Sequence, residues 1–113
     1  MDITTTLVEG RTTLVLNGRF DAHEGPQFEA EFAALSAHLT DPTGGPEGGI
    51  VNFDLGEVGF IDSSGLAQLV RCHKALAAAG HQMRIVDMSS AVKVILEMTK
   101  LDLVFGTADQ PVP

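Results

Sequence analysis

Apolar positions along the chain recur first with the period of a strand and then with the period of a helix, in an order that predicts an α/β fold. Ile3 to Val8 and Thr12 to Asn17 read as two short strands, with Glu9-Gly10-Arg11 as a tight hairpin turn between them. Gly18 to Gly25 reads as a loop. Pro26 suits the first turn of a helix, because its missing N–H would have no helical partner there. Phe28, Phe32, Leu35 and Leu39 then make one apolar stripe at helical spacing, and Glu24 and Glu29 lie near the helix start, where negative charge is favoured. Thr40 to Gly49 is too rich in Gly and Pro for a helix or a central strand and reads as a surface connection.

Ile50 to Leu55 reads as the third strand, followed by a short link. A second helix is expected from Ser63 or Ser64 to Ala79, with Leu66, Leu69, Val70, Cys72, His73, Leu76 and Ala77 covering a wide face and Gly80 as its stop. Met83 to Val86 reads as a fourth strand. Ser89 or Ser90 opens a third helix through about Met98, burying Val92, Ile95 and Leu96. Leu103 to Phe105 reads as a short final strand, and the tail through Pro111 and Pro113 as frayed. Strand–helix alternation after an opening hairpin predicts a mixed four- to five-stranded sheet with helices packed against it, in a single domain over residues 1–113.

Composition narrows the function classes. At 113 residues with 44% apolar content, the chain can build its own core. No stretch approaches the roughly 20 apolar residues of a membrane span, and Met1-Asp2-Ile3-Thr4-Thr5-Thr6 lacks the basic and apolar regions of a signal peptide. The single Cys72 reads as a small packed residue in a reducing cytoplasm. A net charge of -8 argues against direct binding to nucleic acid or anionic membrane and is compatible with a basic partner surface.

The candidate chemistry lies in Phe60-Ile61-Asp62-Ser63-Ser64-Gly65-Leu66. A polar seam of Asp, two Ser and Gly between a strand-like and a helical segment marks a strand-to-helix turn. At this level two readings stand. Asp62, Ser63 or Ser64 can simply cap the helix, with Gly65 allowing close packing. Alternatively, a serine hydroxyl presented at a helix N-terminus, whose free N–H groups favour negative charge, is a place to add and read a phosphate. A catalytic serine is disfavoured, because Gly59 and Gly65 do not flank either serine as a nucleophile elbow requires.

Other constellations are weaker. The glycines of Thr40 to Gly49 lack the Lys and Ser/Thr of a phosphate loop and follow a helix instead of preceding one. His23, His38, His73 and His81 are scattered without metal-ligand spacing, and His73 reads as a satisfied packing residue. Asp21, Asp54, Glu57, Asp62 and Asp87 specify no second catalytic group. The absence of Trp and Tyr and the few basic residues argue against a nucleic-acid stacking platform.

These residues together resemble a bacterial STAS domain of the anti-sigma-factor antagonist group. Gly18-Arg19-Phe20-Asp21 resembles the family's segment after the second strand. Val51-Asn52-Phe53-Asp54-Leu55, followed by Phe60 to Leu66, resembles its third strand and phosphorylation turn; Gly80 to Val86 and Ser89-Ser90-Ala91-Val92-Lys93 resemble the next strand and helix start. The similarity runs in order over nearly the whole chain, and only the Thr40 to Gly49 stretch looks longer than the usual connection.

The resemblance implies a STAS-like fold and a cytoplasmic regulator that is not an enzyme and needs no cofactor. It implies binding to an anti-sigma factor, often itself a serine kinase, so that a sigma factor is freed. The kinase would phosphorylate the first serine after the Asp, here Ser63, and end the binding; a serine phosphatase would restore it. Asp21, Asp62, Ser63, Ser64, Gly65 and Leu66 are the partner-binding residues this implies.

Two rivals stand beside it. One is a STAS subunit of another complex, stressosome-like or a lipid transporter. The other is a receiver-like domain phosphorylated on Asp62, which needs an acidic pair after the first strand and a late Lys. Glu9-Gly10-Arg11 and Leu103-Val104-Phe105-Gly106 supply neither.

Overall fold

The computed structural model describes residues 2–8, 11–38 and 50–107. Strand β1 (Asp2–Val8) and strand β2 (Arg11–Phe20) are followed by helix α1 (Gly25–His38), strand β3 (Ile50–Ile61), helix α2 (Ser63–Ala78), strand β4 (Gln82–Met88), helix α3 (Ser90–Thr99), a 3-10 turn (Leu101–Leu103) and strand β5 (Gly106–Thr107). The five strands form one sheet in chain order. β1 and β2 are antiparallel, and every later neighbour is parallel. Parallel neighbours need a crossover, and each helix supplies one.

Burial alternates along the strands, as a sheet with one face on the core requires. Leu14, Leu16, Val51, Phe53, Leu55, Met83 and Ile85 are buried, while Thr13, Val15, Asn52, Asp54, Arg84 and Val86 are only half-buried. Phe28 and Leu35 of the α1 stripe join the same core, and Phe32 packs at its margin. Phe28 packs against Phe20 with the rings tilted and their centroids 4.8 Å apart. Each such side chain removed from water is worth roughly 1.5–3 kcal/mol before entropy is counted. The fourth stripe residue, Leu39, the Glu9-Gly10 turn, the Thr40 to Gly49 connection and the tail lie outside the described residues.

Three expectations are corrected. Gly18 to Phe20 is strand, not loop, and the expected link from Gly56 to Ile61 is strand as well. The two extensions pair with each other, Gly18 with Val58, Arg19 with Phe60 and Phe20 with Ile61, across register shifts at Val15/Asn17 and Gly18/Arg19. Gly18 has φ 118, a backbone state that suits glycine and accommodates the bulge. Leu103 to Phe105 is not a strand. Lys100 turns left-handed at φ 63, and the N–H groups of Val104 and Phe105 donate to the Leu101 carbonyl, which winds the chain into a tight turn. Phe105 is buried as an anchor of that turn, and β5 follows it with two residues. An apolar run this short does not distinguish a strand from a buried turn.

Helix α2 ends as Gly80 suggests. Gly80 is left-handed at φ 86, its N–H donates to Ala77 O, and His81 N–H donates to Leu76 O at 2.7 Å, the double bond of a Schellman stop. His73 is half-buried and meets Phe105 edge-on, but its Nδ1 is buried without a hydrogen-bond partner among the described residues. It packs, therefore, without being satisfied. Glu29 lies beyond the first turn of α1 and serves a different bond, described below.

Cys72 is 2% exposed, and burial pushes its thiol up to about 12 from an ordinary 9.0. The folded pKa lies above the unfolded one, so this contribution to stability is intact below the unfolded value and is lost as pH rises through that window. The expected result with a thiol reagent at pH 8 is rapid labelling in denaturant and labelling of the native chain only at its opening rate. Equal rates in both states would mean that Cys72 is accessible.

Candidate functional site at the strand ends

The paired ends of β2 and β3 place Phe20-Asp21 beside Ile61-Asp62. Asp62 N–H donates to Phe20 O at 3.3 Å and fastens the two strand exits together. Asp62 is extended, with φ -112 and ψ -173, and its Oδ1 accepts from Gly65 N–H at 3.0 Å. Its carbonyl accepts the first helical bond, from Leu66 N–H at 3.0 Å. Asp62 is thus the N-cap of α2, and Ser63 is the helix's first residue.

The cap sorts the seam. Ser63 is exposed, and among the described residues its hydroxyl makes no hydrogen bond; Ser64 is half-buried. Gly65 is buried: a Cβ there would lie 2.4 Å from Phe20 O and 2.8 Å from Ile61 Cγ1. Leu66 is half-buried and packs against the core. The arrangement presents one serine to solvent over the first N–H groups of a helix, at the carboxyl ends of parallel strands, where α/β sheets commonly place ligands.

Asp21 is engaged locally. Its Oδ1 accepts from His23 N–H at 3.1 Å and Glu24 N–H at 3.2 Å, and its Oδ2 lies 3.4 Å from Arg19 Nε. Desolvation opposes its ionisation, but the Glu24 N–H, the Arg19 guanidinium and the His23 N–H outweigh it and hold the carboxyl below its ordinary value. Asp21 therefore shapes the turn into α1 beside the seam and stays anionic at neutral pH.

Arg19 and Phe60 also belong to this site, although neither is among the site residues expected from the sequence. Paired across the strands, they sit together on the surface, with the Arg19 guanidinium 4.2 Å from the centroid of a Phe60 ring that is 39% exposed. Phe60 and Ile61 then form one wall of an apolar groove of about 450 Å³, whose other wall is Ala91, Val94 and Ile95 of α3. The signal was present in the chain: Phe60 is a large apolar residue two positions before the cap. On the other side of the seam, Ser64 lines a cleft of about 260 Å³ between α1 and α2. There Glu29 Oε1 accepts from Gln68 Nε2 at 2.6 Å and Arg71 Nη1 at 3.2 Å, tying the two helices. Among the described residues, no three His, Cys, Asp or Glu side chains gather to hold a metal ion, and no helix is long and apolar enough to cross a membrane.

A family model for the STAS domain matches residues 2–111. The chain belongs to the STAS domain family. Its fold is shared by solved structures of low sequence identity. An anti-sigma factor antagonist from Mycobacterium paratuberculosis is 24% identical with a TM-score of 0.74, over 98% of this STAS domain and 87% of that chain. The unphosphorylated anti-sigma factor antagonist SpoIIAA is 16% identical with a TM-score of 0.72, over 95% and 88%. The phosphorylated form of SpoIIAA, a Bacillus cell fate determinant, is 15% identical with a TM-score of 0.66, over 95% and 91%. No curated protein matches this STAS domain in sequence.

The cap makes a separable prediction. Asp62→Ala should cost about 1 kcal/mol of stability by orphaning the Gly65 N–H, while Asp62→Asn, which keeps an acceptor, should cost a few tenths at most. Urea unfolding of the three proteins checks this. Equal stability of the Ala variant and the parent would remove the cap from the account.

Proposed function

We propose that this STAS domain is an anti-sigma factor antagonist: it binds an anti-sigma factor that is itself a serine kinase, and phosphorylation of Ser63 ends the binding. The observation that carries this reading is the exposed Ser63 hydroxyl at the first residue of α2, directly behind the Asp62 cap. Similar folds bearing that name, one of them in both unphosphorylated and phosphorylated forms, support it. In this reading Asp21, Asp62, Ser63, Ser64, Gly65 and Leu66 form or shape the contact. The Phe60–Ile61 wall supplies apolar area next to it. The domain works in the cytoplasm as a regulator of transcription, without catalysis of its own.

The switch is local. A phosphate on Ser63 adds about -1.5 to -2 charges, which the first N–H groups of α2 can accept without refolding. A partner surface fitted to a hydroxyl beside the carboxylates of Asp62 and Asp21 meets bulk and repulsion instead. A serine phosphatase resets it. Phosphorylation on Asp62 is disfavoured, because that carboxylate is bound to Gly65 N–H as the cap.

The test is affinity capture from the native cell with the unmodified chain as bait. The expected prey is an anti-sigma factor kinase, released when ATP is added. Stoichiometric capture of a transporter ATPase or of stressosome-like subunits, with no anti-sigma factor, would overturn the proposal.

A further inference from the structure

Helix α3 is apolar on two sides. Val92 and Leu96 are buried in the core, and Ile95 packs at its margin. Ala91, Val94 and Met98 recur at steps of three and four on another side, with Val94 51% and Met98 74% exposed. Lys93 and Glu97 are the only charges of the helix, and neither lines the groove that α3 forms with Phe60 and Ile61. A helix that is apolar nearly all round normally has a second neighbour. The wider surface agrees. Among the described residues, the exposed large apolar side chains are Phe60, Val94, Met98, Leu103 and Val104. All lie on α3, on the turn that follows it, or on the strand exit that faces it across the groove. Apolar residues scattered singly on a surface mean little, but a gathered patch marks a binding surface.

We propose, on the reading that an anti-sigma factor kinase binds this domain and phosphorylates Ser63, that the groove between α3 and Phe60 is the docking site for an apolar helix of that kinase. Continuity and area identify the partner. Phe60 and Ile61 form one wall of the groove, and Asp62 and Ser63 follow them directly in the chain, so a protein seated over the Ser63 hydroxyl also meets the adjoining end of the groove. A specific complex covers about 800 Å² and some 20–30 residues on each partner, with an apolar core. Of the six seam residues, Gly65 is buried, Asp21, Asp62, Ser64 and Leu66 are half-buried, and only Ser63 is exposed. The contact must therefore extend past the seam. On one side lies the cleft between α1 and α2, where Glu29, Gln68 and Arg71 bind one another. On the other lies the apolar groove. The spacing of Ala91, Val94 and Met98 is the stripe that one helix offers to another, so a helix is the shape that fits. The groove supplies affinity, and the Ser63 seam at its end supplies the switch.

Titration calorimetry with the cognate anti-sigma factor kinase tests this, beside the kinetics of Ser63 phosphorylation. Val94→Glu and Val94→Lys exchange a half-exposed valine for better helix formers, so the variants should keep the circular dichroism spectrum and melting temperature of the parent. Both should weaken binding about tenfold or more, and alike, because apolar contact is what is lost. KM for Ser63 phosphorylation should rise with them while kcat stays within about twofold, since Ser63 and its cap are untouched. Where a Val94 variant melts early, Met98→Gln, at the more exposed position, reads the same contact. Lys93→Gln, off the groove, should bind within about twofold of the parent. Val94 variants that bind as tightly as the parent overturn the docking groove and leave the Ser63 reading standing, as does a loss confined to one sign of charge. A parent chain that the kinase neither binds nor phosphorylates overturns that reading and the groove with it. A free chain that dimerises through this face, with the dimer abolished by Val94→Glu and kinase affinity unchanged, overturns the proposal in favour of a second copy.

Discussion

Gly65→Ala is expected to lower the unfolding free energy by about 2 kcal/mol or more, a substantial part of the roughly 5–15 kcal/mol that holds a domain together. Two effects compete. Alanine is a better helix former than glycine by about 1 kcal/mol in a helix interior, and by less in a first turn. Against this, the new methyl carbon would stand 2.4 Å from the Phe20 carbonyl oxygen, 2.8 Å from Ile61 Cγ1 and 3.2 Å from the Phe20 carbonyl carbon. Two of those three atoms are backbone, and the third belongs to a side chain that is 6% exposed, so none can swing aside. Relief requires α2 to lift from the exit of β2. That movement strains the Asp62 N–H to Phe20 O bond and the Asp62 cap together. The steric term wins. Gly59→Ala is the control, because nothing lies within 4 Å of a Cβ at that position, and it should unfold within about 0.5 kcal/mol of the parent. Urea unfolding of both variants decides the matter: a Gly65→Ala chain as stable as Gly59→Ala would mean that α2 does not need its close approach to Phe20.

Much of this architecture was legible in the chain because the buried positions keep strict periods. Leu14 and Leu16 alternate on β2, as do Val51, Phe53 and Leu55 on β3, and the Phe28–Phe32–Leu35 stripe marks α1. The extensions of β2 and β3 were not legible for a definite reason. Gly56 and Gly59 interrupt the apolar pattern of β3 and Gly18 that of β2, and each extension exists because it pairs with the other. That pairing is a long-range fact that no window of sequence contains. The C-terminal turn was misread for the opposite reason: three apolar residues in a row carry no period, and the left-handed Lys100 that redirects them has no local signature.

The candidate site divides along the same line. Asp62-Ser63-Ser64-Gly65 announced a strand-to-helix turn, but three residues competed for the cap. Only the geometry assigns it to Asp62 and leaves Ser63 exposed. Gly65 stood in the sequence both as a close-packing residue and as a contact residue, and the structure places it beneath the surface against Phe20 and Ile61. Arg19 and Phe60 lie forty-one positions apart and become neighbours through the bulged register of β2 on β3, so their surface pair was beyond reach of the sequence. The seam, the cation–π pair and the apolar groove along α3 are contiguous through Phe60, Ile61 and Asp62. Conserving that run of contacts on a partner would give a contact with an apolar centre and a charged, switchable rim.

Phosphorylation of Ser63 is expected to weaken binding of the anti-sigma factor about a hundredfold or more, since the phosphate brings bulk and a dianion that must be desolvated into a contact fitted to a hydroxyl. Ser63 is the first residue of α2, exposed, and next in the chain to the cap residue Asp62, while Asp21 holds a second anion at the neighbouring strand exit. A dianion placed there is tolerated by the helix terminus, so the free domain should keep its fold and its melting temperature within a few degrees. The cost falls on the complex, in which a partner surface fitted to a hydroxyl must make room for a bulky dianion and strip its hydration. Ser63→Ala should abolish phosphorylation and keep binding. Ser63→Glu should weaken binding by less than the phosphate does, because a carboxylate has lower charge and a different shape. Ser64→Ala should leave the phosphorylation stoichiometry unchanged, because the half-buried Ser64 faces the cleft between α1 and α2. Phosphopeptide mapping after incubation with the cognate kinase, beside titration calorimetry of each variant, measures all of these. Phosphate on Ser64, or a phosphorylated chain that binds as tightly as the unmodified one, would sink the switch. Loss of binding in Ser63→Ala would show instead that the hydroxyl itself makes a contact the complex requires.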